Sequence, residues 1–199
     1  MTDSSFDSEN FNCDSEIENE TDSKSQKDEE SKLKKEEIID SISSTLTTIL
    51  EENTKLPNYK EIILEQKNMC FNSGAIPKIS IYDYLLRIQE YSNIEKNSLI
   101  ISLIYIDRIC KIGKLILTHY NIHKILFTSI LIAIKYNEDN FYDNQFYSEI
   151  AGIKLNELKL IEYNFLALCD FNMFVSDEIF HKYNIHLNSF TKYQLLIDN

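Results

Sequence analysis

Apolar residues recur along this chain at intervals of three and four, and that spacing predicts helices almost throughout. From 33 to 52, the apolar positions Ile38, Ile39, Ile42, Leu46, Ile49 and Leu50 mark an amphipathic helix with one apolar stripe. Such a stripe must pack on the main domain or on a partner. Pro57, Gly74 and Pro77 punctuate residues 55–78, which read as a linker with a short helix near 59–70. A series of helices is then expected at 81–91, 95–112, 122–137, 145–151 and 154–169. Ser80 is the expected cap of the first, Ser92 or Asn93 of the second and Asn121 of the third. The helix at 95–112 is apolar around nearly its whole circumference, which places it at the centre of a domain. A last amphipathic stretch covers 176–186.

Composition narrows the class without changing this picture. Three Gly and two Pro in 199 residues leave little turn punctuation for a sandwich or a barrel, so the fold class is all-α. The net charge of −12 is uneven: residues 1–54 hold 16 acids against five lysines, whereas 55–199 are close to neutral. Neither part has the basic surface that tracks a phosphate backbone, so no direct nucleic-acid binding is expected. Residues 1–32 are an acidic tail too poor in apolar groups to fold. In it Ser4, Ser15 and Ser25 each have an acid three positions on, a pattern suited to acidophilic kinases, although a solvated tail explains the same composition. The apolar run 99–106 is too short to span a bilayer, and no secretory signal opens the chain, so a cytoplasmic or nuclear protein is expected, with no membrane partner. Cys13, Cys70, Cys110 and Cys169 form no C-x-x-C pair and read as free thiols.

Three segments carry the chemistry: 98–110 (SLIISLIYIDRIC), 131–139 (LIAIKYNED) and 158–169 (LKLIEYNFLALC). Each is an apolar helical run interrupted by a charge, respectively Asp107, Lys135 and Glu162. A buried carboxylate at Asp107 needs a partner; alternatively it faces solvent or pairs locally with Lys111. Lys135, in the last turn of its helix, complements the helix dipole and can extend to water. Glu162 lies at the border of the buried stripe formed by Leu158, Phe165, Leu166 and Cys169. His119 and His123 are four apart, but the cap expected at Asn121 separates their faces. Glu178 and His181 have the E-x-x-H spacing of di-iron bundles without a second copy. No metal, cofactor or catalytic residue is expected.

The order and content of these segments resemble the cyclin box, and within the cyclins the P-type or U-type group. The resemblance implies a single five-helix cyclin box over 79–175, with the amphipathic N-terminal helix at 33–54, the linker at 55–78 and a short C-terminal helix within an extension at 176–199. It implies that Arg87 pairs with Asp107, since Tyr105-Ile106-Asp107-Arg108 matches the family's context for that structural ion pair. It also implies that Lys135 and Glu162, flanked by Tyr136 and Phe165, bind the main chain of a cyclin-dependent protein kinase. The function implied is that of a regulatory subunit, not an enzyme, that activates the kinase by stabilising its active C-helix position. The competing expectation is a helical interaction scaffold that keeps the fold and activates no kinase. It would be favoured if Lys135 and Glu162 were buried against their own domain. Substrate docking is in doubt because there is no Trp, and Leu85-Leu86-Arg87-Ile88 replaces the Met-Arg-Ala-Ile-Leu segment of mitotic cyclins.

Overall fold

A computed structural model describes residues 35–197, with side chains as far as Leu187. The acidic tail with Ser4, Ser15 and Ser25, and Cys13 with it, lies outside the described residues. Among those described there are eight helices and no strand, so the all-α expectation holds.

Helix α1 occupies 35–54. Its stripe is turned onto the domain: Ile38, Ile39, Ile42, Leu46 and Leu50 are buried in the common core, and only Ile49 of the expected set stays exposed. The Asn53 side-chain amide donates to the Leu117 carbonyl at 3.0 Å and fixes the end of α1 to the loop after the central helix. The stretch read as a linker holds α2, Tyr59–Gln66, and packs as part of the core. Phe71 is 1% exposed and meets Phe165 edge-on at 6.3 Å. Lys124 donates to the Asn72 carbonyl at 2.7 Å. Two prolines and a glycine break the helix there, but they do not stop the apolar residues between them from being buried.

Helix α3, Ile81–Ser92, opens as expected, with the Ser80 hydroxyl accepting from Asp83 N–H at 3.0 Å. It closes on Asn93 at φ 46°, a left-handed position that Asn tolerates. This changes the expected cap of the next helix. Ser92 donates to the Ile88 carbonyl at 2.6 Å and Asn93 ends α3, so α4, Lys96–Ile112, begins after Glu95 with no side-chain cap. Helix α5 spans Ile122–Asn137, as the spacing predicted. Asn121 does not cap it; its side chain accepts from Thr118 N–H at 2.8 Å and donates to the Ile116 carbonyl at 2.9 Å, stabilising the preceding turn. Helices α6 (Asn144–Ala151) and α7 (Leu155–Leu168) are separated by Gly152 at φ 71°. Helix α8 runs Asp177–Ile197, longer than the stretch read from sequence.

Helices α4 and α5 form the central pair; α7 packs on both, α6 on α3, α5 and α7, and α8 on α4. Ten residues of α4 and eleven of α5 are buried, so these two helices have almost no free face. That explains why their apolar residues run all round. No helix among the described residues is long and apolar enough to cross a membrane.

Candidate functional site

Lys135 stands in the last turn of α5, Glu162 in the middle of α7, and Asn144 opens α6. The packing of α5, α6 and α7 brings the three together. Lys135 Nζ lies 2.5 Å from Glu162 Oε1 and donates to Asn144 Oδ1 at 2.6 Å, and Asn144 Nδ2 donates to Glu162 Oε2 at 2.9 Å. The lysine side chain is 25% exposed and the glutamate 16%. Each is thus held by its own domain while keeping one edge open to solvent. An ammonium has three protons and a carboxylate about four lone-pair positions. After the internal bonds, Lys135 keeps one donor and Glu162 two acceptor positions. The pair is therefore preorganised and still able to bind a main chain that brings both a carbonyl and an N–H.

The neighbouring expectations divide. Tyr136 is 57% exposed, next in sequence to Lys135. Tyr163, beside Glu162, is also exposed and stacks edge-on with exposed Phe171 at 6.2 Å. Phe165 is different: it is 0% exposed, so it cannot contact a partner from this position. Three residues from Glu162 on an α-helix is 300° round the axis, enough to turn Phe165 inward while Glu162 stays at the rim. Phe165 supports the site from beneath.

Arg87 and Asp107 do not pair. Arg87 donates to the Glu149 carbonyl at 3.2 Å, at the end of α6. Asp107 accepts from Lys111 at 2.5 Å and from the Tyr183 hydroxyl of α8 at 2.8 Å. The carboxylate is 39% exposed, because α4 emerges from the core in its last turns and α8 covers it only in part. The local pairing with Lys111, weighed at the outset as the alternative, is the one formed. Burial, followed by the hydrogen bond to Asp107, pushes the Tyr183 phenol well above its ordinary value, so it stays protonated and donates.

Three residues for which the sequence suggested no role of their own hold the framework. Asn144 had no signal beyond preceding a short helix. Arg108 grips the chain after α7, donating to the carbonyls of Asn172 and, at 3.0 Å, Phe174. Tyr105 donates to the carbonyl between them, Met173, at 2.8 Å.

The other sequence features are structural. His123 Nε2 lies 2.9 Å from the Ile79 carbonyl, and burial lowers the imidazole's pKa below its ordinary value. Glu178 pairs with Lys182 at 2.6 Å. No group of three or more His, Cys, Asp or Glu among the described residues stands close enough to hold a metal ion. Cys70, Cys110 and Cys169 are free thiols; burial pushes Cys110 up to about 12 and Cys169 up to about 11.

Fold and site together define an all-helical protein that displays a preorganised ion pair where three helices meet. A family model described as Cyclin matches residues 11–173, and the chain belongs to the cyclin family, in its P/U-type group. It is 30% identical over 167 residues to PHO85 cyclin-7 of Saccharomyces cerevisiae, covering 74% of this chain and 59% of that protein. It is 31% identical over 147 residues to Cyclin-U4-3 of Arabidopsis thaliana, covering 73% and 64%. Over 124 residues it is 34% identical to Cyclin-U2-2 of the same plant, covering 61% and 53%. The chain thus spans less than two thirds of the length of each of these relatives.

Proposed function

We propose that this cyclin is the regulatory subunit of a cyclin-dependent protein kinase and performs no catalysis itself. The observation that carries the proposal is the Lys135–Asn144–Glu162 constellation, held rigid yet with unused donor and acceptor capacity, beside exposed Tyr136. The name of the relative PHO85 cyclin-7, a cyclin of PHO85, points to the same class of partner. A kinase whose active state is poorly populated alone is activated by a partner that binds that state more tightly. Here Lys135 donates to, and Glu162 accepts from, main chain at the kinase C-helix. The helix then holds its glutamate against the lysine that orients the ATP phosphates. Contacts to main chain tolerate sequence variation in the partner, and apolar contact from Tyr136 adds affinity.

The internal pairing of Lys135 with Glu162 is also what a cyclin-fold scaffold without a kinase would show, so the test must separate the two. Tagged wild type is used to capture partners from cells, and kinase activity is assayed in the eluate. The comparison is with Tyr136→Ala and with Lys135→Ala/Glu162→Ala, each checked for native helicity and melting. Recovery of an active kinase by wild type, and its loss in folded Tyr136→Ala and in the double variant, is the expected result. A wild-type eluate without kinase activity would overturn the regulatory function in favour of the scaffold. Equal recovery by all three proteins would remove the site and keep the subunit.

A further inference from the structure

Arg87, released from the expected pairing with Asp107, lines a cleft that the kinase proposal does not use. A cavity of about 440 Å³ opens between the non-helical segment 73–79, α3, the N-terminal half of α5 and the junction of α6 with α7. That is within the range of about 300–1,000 Å³ usual for ligand sites. Its floor is apolar and closed, with Tyr84, Phe127 and Ile161 all buried. Its rim is apolar and open: Ile76 is 52% exposed, and Ile79 and Ile153 are half-buried. A single exposed isoleucine is ordinary, but here it continues an apolar floor into a concave surface, where an apolar side chain would leave water on every side.

The titratable groups of the lining are not equivalent. Lys124 donates to the Asn72 carbonyl and lies 2.8 Å from the Glu157 carboxylate, so these two charges offset each other within the wall. His123 has Nε2 against the Ile79 carbonyl, and burial lowers its pKa, so the imidazole is neutral at pH 7 and adds no charge. That makes Arg87 the group that sets the sign of the cleft. Its bond to the Glu149 carbonyl, at 3.2 Å, engages one of five N–H groups and ties the guanidinium to the end of α6 beside the cavity. A guanidinium oriented in this way presents a planar fork that matches a carboxylate.

We propose that this cleft docks an extended segment of a protein partner, with a leucine-sized side chain in the cavity and a carboxylate, two residues on, against Arg87. Residues two apart in an extended peptide project from the same face, roughly 7 Å from each other, which suits a cavity with its charge at the edge. Charge complementarity selects the occupant: an apolar side chain alone makes no use of Arg87, and a small anion alone makes no use of the floor. The cleft touches α5 at His123, twelve residues and about 18 Å along the helix from Lys135. A segment docked there does not need to displace a partner held at Lys135, and the inference does not rest on that partner being a kinase.

The test is an NMR titration of the full chain with the peptide acetyl-Gly-Leu-Ser-Glu-Gly-amide, beside counterparts in which glutamine replaces the glutamate or alanine replaces the leucine. The parent peptide should give saturable shifts at the amides of Ile76, Arg87, Gly152 and Ile153, with binding about tenfold tighter than the glutamine counterpart and weakened by salt. Arg87→Met should bind those two peptides alike, and Arg87→Lys should recover only part of the preference, since it restores the charge without the fork. Ile76→Ser, at an exposed position, should weaken the parent peptide and keep the preference for glutamate. Each variant is first shown to melt with wild type. Equal binding of the glutamate and glutamine peptides by wild type, or the preference surviving in Arg87→Met, would overturn the proposal. Equal binding of the leucine and alanine peptides would overturn it too, because the cavity would then take no part. So would the same shifts on concentrating the chain alone, which would make the occupant a second copy.

Discussion

The Lys135–Glu162 and Asp107–Lys111 pairs close at the same distance, 2.5 Å, and differ in almost everything else. The first joins two helices over 27 residues of chain, with both side chains no more than a quarter exposed and an asparagine satisfying both charges. The second joins neighbouring turns of one helix, with Lys111 73% exposed. An exposed pair exchanges one hydrated environment for another and contributes little. A pair withdrawn from water fixes the packing of its helices, and removing one member leaves the other charge poorly solvated. The bond length is the same, but the consequence of breaking it is set by burial.

Four measurements would break or sharpen that contrast. The largest loss should come from Phe165→Ala, which empties the core beneath Glu162. About 3–5 kcal/mol is expected in urea unfolding, with kinase capture failing because the fold fails. Lys135→Ala should come next, at about 2 kcal/mol, reduced from the fully buried case because both groups keep some contact with water. Replacing both members by Lys135→Met/Glu162→Leu should recover much of that loss, and a double-mutant cycle would measure the coupling. A loss below about 0.5 kcal/mol for Lys135→Ala would put the two pairs in the same class. Lys111→Ala should cost no more than about 0.5 kcal/mol, in line with other pairs one turn apart on a helix.

The remaining effect concerns pH. Burial first, and the charge of Asp107 second, hold the Cys110 thiol up at about 12 against an ordinary value of 9.0. The folded chain therefore keeps a proton that the unfolded chain loses. This stabilisation is complete below about pH 9 and is lost as pH rises towards 12. Thermal unfolding at pH 7, 9 and 10 should show a decline that is shallower in Cys110→Ala. An identical decline in wild type and variant would mean that other groups account for it.

Periodicity alone located the central helices, and α5 ends where its spacing predicted, because a helix buried all round has no ambiguity of face. Other features depended on the partner helix. Glu162 was read as a site residue and Phe165 as its flank, and only the packing of α7 shows that one is at the rim and the other inside. Asp107 was expected to need a partner because its helix is apolar, and the cyclin resemblance implied Arg87, yet α4 leaves the core before its C-terminus and Lys111 and an α8 tyrosine hydroxyl serve instead. Residues 55–78 were read as a linker from their breakers, although Ile62 and Phe71 are buried. Asn144 could not be found from sequence at all: its part depends on where the first turn of a short helix lands, and that is a tertiary fact.

The three carbonyls gripped by Arg108 and Tyr105 also bear on the order in which the molecule can be made. They lie 64 to 68 residues beyond the side chains that hold them. A ribosome exposes α4 and α5 long before residues 172–174, and until those appear the Tyr105 hydroxyl has no carbonyl to meet. Closing so long a loop is entropically costly and is compensated only when the distant segment arrives. The nascent domain should therefore stay open, and within reach of chaperones, until Phe174 has left the exit tunnel, when the strap closes over α4.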